Sequence, residues 1–288
     1  NRAVQGIYEL GSVFKIFTVA LALDKNLVEV DTKLNTKGPL RIGGRTISDH
    51  KYFGPSLTVE EIIVKSSNVG TVRIANKIGS ELLKDFYANL GLLDRTSLEL
   101  PETRLTVPQS PRKWKSLDMA TASYGHGIAV SPIHLAAAYS SLVNGGYKVN
   151  PTLLLKDKKI TDKVEHEQKN QVIRNATSSI VRSLLNRVVV DGTAKDSNFG
   201  GYNVGGKTGT AEKPNPVGGG YYEDKVISTF ASVFPISTGD YVLVVTLDEP
   251  ENNLGSESFR YASKTAVPIS AKIISRIGPL LGLKLEKK

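Results

Sequence analysis

Residues 12–26 read Ser-Val-Phe-Lys-Ile-Phe-Thr-Val-Ala-Leu-Ala-Leu-Asp-Lys-Asn, apolar on nearly every side apart from Lys15 and the far end. A helix with no polar face has nothing to offer water, so it is predicted to lie buried, with other elements wrapped around it. Lys15 is carried inward with it, where an ammonium is expensive to keep charged. At 288 residues, 40% of them hydrophobic, the chain has enough apolar material for one large core or two lobes.

What surrounds that segment changes character along the chain. Pattern and punctuation predict helices over 58–65, with Thr58 and Glu61 in capping-box spacing, and over 69–78, ended by Gly79. Further helices are predicted over 81–91, near Lys115, over 132–144 and over 176–190. A proline-punctuated loop covers 101–111, and the charged stretch 156–169 reads as a solvated excursion. The last third turns β-rich at 202–212, 225–234 and 240–248. Short turn clusters between these runs imply an antiparallel meander, and a final apolar helix over 262–277 is expected to pack on one of its faces.

Composition removes several function classes. With no cysteine there is no disulfide, thiolate metal site or cysteine nucleophile. The net charge of +9 is scattered and not interleaved with stacking aromatics, which describes a solvated surface and no nucleic-acid partner. His50, His126, His134 and His166 lack metal-ligand spacing. No G-x-S-x-G elbow is present. His126 is expected in a loop near a cleft, and Trp114 as a packing anchor. No run reaches the eighteen or so apolar residues of a membrane helix. The chain opens at Asn1 and its one methionine is Met119, so a fragment whose targeting segment has been removed is expected.

Three short motifs carry the chemistry. On a helix, Ser12 and Lys15 share a face one turn apart, and a desolvated amine beside a hydroxyl is a base beside a nucleophile. Spacing alone is weak, since Ser110-Pro111-Arg112-Lys113 also fits it; burial and Gly11 favour the first copy. Ser66-Ser67-Asn68 lies between two predicted helices. It reads both as a helix cap and as a proton-relaying hydroxyl with a carboxamide able to orient a substrate amide. Lys207-Thr208-Gly209-Thr210 falls on a predicted strand whose glycines suit close approach of a substrate to the backbone. Lys207 would supply positive charge, Thr208 and Thr210 hydroxyls, and the N–H groups of Ser12 and Thr210 an oxyanion hole. Lys207 and Thr208 point to opposite sides of a strand, so both serve one cleft only from an edge strand.

Residues 201–208 also satisfy the phosphate-loop pattern, with 242–249 resembling a metal-binding strand end. Such a loop must open a helix, and Gly209, Pro214 and Pro216 forbid one there. The P-loop nucleotide hydrolase remains the remote alternative.

The ordered trio resembles the transpeptidase domain of class B penicillin-binding proteins, most closely the cell-division (septal) type. Blocks at 8–15, 57–70, 100–114, 125–132, 192–213 and 262–268 resemble the family in the same order. The resemblance implies an α+β penicillin-binding, serine β-lactamase-like fold. An antiparallel sheet covered by helices would form one lobe from both ends of the chain, with a helical lobe over about 30–190. An N-terminal anchor, a pedestal and the first sheet strands would be absent from residues 1–288.

By the same resemblance, Ser12 attacks a peptidoglycan stem peptide ending in D-Ala-D-Ala, with Lys15 as base and Ser66 passing protons. Asn68 holds the peptide, Lys207 supports the field, and Thr208, Gly209 and Thr210 bind the carboxylate. β-Lactams would acylate Ser12. No metal or cofactor is needed. Expected partners are a membrane glycan polymerase and other division proteins at the periplasmic face of the bacterial inner membrane. The alternatives are a serine β-lactamase and a β-lactam sensor domain. For the former Glu102 is a poor deacylating base, because Leu100-Pro101-Glu102 resembles a penicillin-binding loop and Thr106 stands where asparagine would be.

Overall fold

The structure, a computed structural model, describes residues 1–155, 170–251 and 260–285. The excursion expected over 156–169 lies outside them.

The apolar segment is the hub. Gly11–Phe14 forms a 3₁₀ turn that runs into helix α2 (Lys15–Asp24), after a short α1 (Arg2–Gln5). Every residue from Lys15 to Leu23 is buried. The expected single helix therefore begins as a tighter turn, entered through Gly11 at φ +61°, a left-handed conformation that favours glycine. Phe14 and Phe17 meet edge-to-face at 5.4 Å, Phe17 meets Tyr139 at 5.4 Å, and Tyr87 lies 5.8 Å from Phe14. Each of these rings, once fully buried, contributes on the order of 2–3 kcal/mol from apolar transfer. Tyr139 adds a hydrogen bond from its hydroxyl to the Val13 carbonyl at 2.7 Å, which ties the turn to the helix beneath it.

Helices α3 (Val59–Lys65), α4 (Asn68–Ile78) and α5 (Ser80–Asn89) pack around α2. Thr58 and Glu61 form the expected capping box. Ser67 caps α4 by accepting the Gly70 N–H, so Asn68 sits in the first turn of that helix, not in the loop before it. Helices α6 (Ser116–Ala122), α7 (Pro132–Val143) and α8 (Asn175–Val190) follow as the pattern implied. Trp114 is buried with its ring 5.9 Å from Tyr87, a packing anchor as expected.

Four three-residue strands were not foreseen. β1 (Lys33–Asn35) pairs with β4 (Ser56–Thr58), and β2 (Leu40–Ile42) pairs with β3 (Arg45–Ile47). Three residues are too few to display alternation. The Gly43-Gly44 pair, both at positive φ, was the legible hairpin signal.

The meander forms in order: β5 (Gly205–Pro214), β6 (Tyr221–Phe234) and β7 (Tyr241–Asp248), antiparallel throughout. Ala231 and Val233 of β6, with Val242 and Val244 of β7, belong to the main core, where α7 packs against both strands. Phe230 and Phe234 face the other way, onto helix α9 (Ala266–Ile277). Both faces of the sheet are thus covered by helices, and β5 is left as an edge among the described strands.

Candidate active site

The 3₁₀ turn bearing Ser12 is held by neighbours on two sides. Gly11 N–H donates to the Gly125 carbonyl at 3.2 Å. A Cβ on Gly125 would lie 2.1 Å from the Gly11 oxygen, and one on Gly209 only 2.2 Å from the Leu10 oxygen. Glycine at both places lets the 124–127 loop and strand β5 close onto the turn, since contacts under about 3 Å cannot be accommodated by a side chain.

Lys15 opens α2, fully buried, and its Nζ donates to the Ser66 carbonyl at 2.5 Å and to Ser66 Oγ at 3.1 Å. Ser66 joins α3 to α4 in a left-handed conformation (φ 60°, ψ 44°), which aims both its oxygens back at the lysine. From the sheet, Lys207, also fully buried, donates to the same Ser66 Oγ at 3.0 Å and to the Thr208 carbonyl at 3.1 Å. Two amines from segments far apart in sequence therefore converge on one hydroxyl. Burial pushes Lys15 well below the usual lysine range, and the nearby Lys207 pushes it further, while Asp49 pulls upward. Burial alone lowers Lys207 to about 7.

Of the sequence-predicted residues, Lys15, Ser66 and Lys207 are joined by hydrogen bonds, and the 3₁₀ turn that bears Ser12 packs against β5 beside them. Asn68 is adjacent, its Nδ2 donating to the Ser48 carbonyl at 2.9 Å. Thr208 and Thr210 lie on the opposite face of the strand, as alternation requires. The Thr208 hydroxyl shares a hydrogen bond with Thr193 at 2.5 Å, and Thr210 Oγ1 accepts the Ala262 N–H at 3.0 Å. β5 is an edge among the described strands, which meets the condition that alternation sets for both faces to serve one cleft.

Sequence reasoning missed Asp49, Thr193 and most of a cluster beside the turn, of which only His126 was expected near a cleft. In that cluster the Tyr221 hydroxyl donates to Glu9 at 2.9 Å, and the His126 ring lies 5.3 Å from Tyr124 and 5.7 Å from Tyr221. Burial, then the charge of Lys15, lowers His126 to about 4, so it is a neutral imidazole at pH 7. The one available signal was proximity in sequence, Glu9 three residues before Ser12 and His126 in the glycine-flanked loop.

Other sequence candidates disperse. Ser110, Arg112 and Lys113 are exposed and outside any helix. The phosphate-loop match runs straight into strand β5, with no helix to face a phosphate. Asp248 and Glu249 are engaged by Lys213 at 2.9 and 2.5 Å. Glu102 sits in a 3₁₀ turn facing Asn1. A hollow of about 740 Å³ is lined by α8 and the loop before β5 and includes none of the site residues.

A family model for the penicillin-binding protein transpeptidase domain matches residues 1–275. The chain is 34% identical, over 99% of its length, to the probable peptidoglycan D,D-transpeptidase FtsI of Caulobacter vibrioides, covering 48% of that protein. It is 31% identical to stage V sporulation protein D of Bacillus subtilis, over 100% of this chain and 44% of the relative. The chain thus spans about half the length of the curated relatives it matches. The transpeptidase domain of Burkholderia pseudomallei penicillin-binding protein 3 superimposes on the whole chain with a TM-score of 0.87 at 30% identity, covering 84% of that structure. A mycobacterial penicillin-binding protein 3 complexed with ampicillin superimposes on all of it at 0.86 and 26% identity, over 65% of that structure. With the lysine–serine–lysine convergence and the covered antiparallel sheet in place, the chain belongs to the penicillin-binding protein transpeptidase family.

Proposed function

We propose that this chain is the acyl-transfer domain of a peptidoglycan D,D-transpeptidase acting through Ser12. The observation that carries the proposal is the pair of buried amines sharing Ser66 Oγ at 3.1 and 3.0 Å, one of them on the helical turn that also bears Ser12. An amine kept neutral by burial accepts the Ser12 proton as the hydroxyl oxygen bonds to the penultimate D-alanine carbonyl of a stem peptide. The tetrahedral oxyanion is held by the N–H groups of Ser12 and Thr210. When it collapses, the proton returns through Ser66 to the leaving D-alanine nitrogen and an ester remains on Ser12. An acceptor amine from a neighbouring stem then attacks the ester carbonyl, transfers its proton back along the same route, and frees Ser12. Asn68 orients the donor peptide, while Lys207 with Thr208, Gly209 and Thr210 receives the terminal carboxylate along the β5 edge.

A β-lactam carries its leaving group in the same ring as the acyl carbon, so the departing nitrogen stays attached and the ester persists. The ampicillin-bound relative and the relatives named D,D-transpeptidase support this reading. On the strength of the likeness to FtsI we place the activity in septal wall synthesis, on the periplasmic face of the bacterial inner membrane. A membrane glycan polymerase and other division proteins would be its partners, with an N-terminal segment as its membrane anchor. Residues 1–288 would act as one transpeptidase domain, with a helical lobe over about 30–190 and a sheet lobe from the two ends.

The test is acylation by a fluorescent penicillin followed by intact mass. A long-lived adduct mapped to Ser12, absent in Ser12→Ala and competed by a D-Ala-D-Ala peptide, is expected. Rapid loss of the adduct indicates a β-lactamase instead, and acylation that survives Ser12→Ala defeats the assignment.

A further inference from the structure

Asp49 belongs to none of the three motifs, yet its carboxylate is bonded to one of them at every turn. It follows β3 and the β2–β3 hairpin, on the segment that leads toward β4. Asp49 Oδ1 accepts the backbone N–H of Asn68 at 2.5 Å and of Val69 at 3.0 Å, and Oδ2 accepts the Ser67 hydroxyl at 2.8 Å. Its neighbour Ser48 accepts from the Asn68 carboxamide at 2.9 Å. Two consecutive residues thus grip the Ser67 hydroxyl, the Asn68 carboxamide and the backbone of Asn68 and Val69.

The grip matters because the residue between α3 and that anchor is Ser66, in a left-handed conformation that serine adopts at a cost. Such a conformation persists only when its surroundings over-determine it. Asp49 is also an anion over the first turn of an eleven-residue helix, which the exposed N–H groups of that turn favour.

The carboxylate has a second consequence. The charged and titratable groups around Lys15 come from several elements: Lys207 from β5 and Asp49 from the segment after β3 act on it, while His50 from that segment and His126 from the 124–127 loop feel its charge. Burial holds His126 down to about 4, and His50 is lowered as well, so neither is a cation at pH 7. Lys207 opposes a charge on Lys15, and Asp49 favours one.

We propose that Asp49 is a positioning residue of the active site, fixing Ser66–Asn68 against Lys15 and supplying the negative charge that faces the buried Lys15 amine. It rests on the assignment of Ser12 and Lys15 as the acylating pair. Asp49→Asn keeps the shape and an oxygen for the Asn68 and Val69 N–H groups but removes the charge. Ser67→Ala cuts the third hydrogen bond and keeps the charge.

The experiment measures the second-order rate of acylation of the full chain by a fluorescent penicillin between about pH 5 and pH 9, a span covering the ordinary histidine range and the lowered lysines. Without the anion a proton on Lys15 is less stabilised, so the amine is free at lower pH. The acid limb of Asp49→Asn should therefore move down by roughly half a unit or more, the scale of one partly screened charge. Ser67→Ala should lose rate by a few fold with its limb in the wild-type position. Should Asp49→Asn not fold, Asp49→Ser carries the same expected shift. Superimposable limbs for the Asp49 variant and wild type overturn the proposal, as does an equal shift in Ser67→Ala, which assigns the effect to shape alone. Wild type that takes no adduct at Ser12 defeats the acylating assignment itself, a separate outcome read before any variant is compared.

Discussion

Replacing Lys207 by methionine tests the electrostatic core of the site. Methionine fills a similar volume without the charge, so the buried space is retained. Both amines donate to Ser66 Oγ, at 3.1 and 3.0 Å, so tetrahedral geometry at that oxygen puts the nitrogens about 5 Å apart. Two unit charges at that separation, in an effective dielectric of about 20, repel by about 3 kcal/mol, equivalent to about two pH units. Lys207, lowered to about 7, is substantially protonated below neutrality, where it keeps Lys15 neutral by repulsion. Remove it and the folded-state proton affinity of Lys15 rises. The acid limb of penicillin acylation then moves to higher pH, by between one and two units after discounting for relaxation and water. The rate at the plateau falls as well, because methionine cannot donate to Ser66 Oγ. The diagnostic is the limb and not the amplitude. Stopped-flow acylation across pH, with the thermal midpoint as a control for folding, supplies both. If the limb stays where wild type has it, or moves down, the two lysines are not electrostatically coupled through Ser66 and the argument is refuted.

Two further substitutions probe the frame around those amines. Gly209→Ala puts a methyl 2.2 Å from the Leu10 carbonyl oxygen, so β5 must retreat from the Ser12 turn; overpacking of this kind costs about 1–3 kcal/mol. Calorimetry should show a drop of several degrees, with acylation reduced more than stability alone explains, and an unchanged acylation rate would show that the close approach is dispensable. Thr58→Ala removes the capping box of α3, whose last turn leads to Ser66, and should lower the unfolding free energy by about 1 kcal/mol in urea titration while sparing the acid limb.

Legibility followed the range of the interactions. The buried α2 helix, the capping box at Thr58 and the three-stranded meander were readable because each is set by residues close in sequence. The small β1–β4 sheet was not, since three-residue strands show no period and its strands lie about twenty residues apart, and of the β2–β3 pair only the Gly43-Gly44 turn was marked in the sequence. The three motifs were readable as motifs, but Asp49 and Thr193 were not. An isolated Asp in a Ser-Asp-His string, or a threonine after Gly192, carries no local pattern. Their roles come from hydrogen bonds to Ser67 and Thr208, made across 18 and 15 residues.

That difference has a physical origin. Ser66 meets Lys15 across 51 residues and Lys207 across 141, so no local propensity can bring them together. What brings them together is the core: α2 has no polar face and must be enclosed, the α3–α4 corner packs against it, and β5 packs against the 3₁₀ turn that leads into it. The corner and the strand each carry one motif, and the two motifs meet at Ser66 Oγ beside Lys15. The energy for burying two amines thus comes from apolar packing elsewhere in the same cluster, where rings such as Phe14, Phe17, Tyr87 and Tyr139 are fully enclosed. Loosening that packing should therefore raise the proton affinity of Lys15 before it unfolds the chain. The same enclosure that makes the fold is what makes the base.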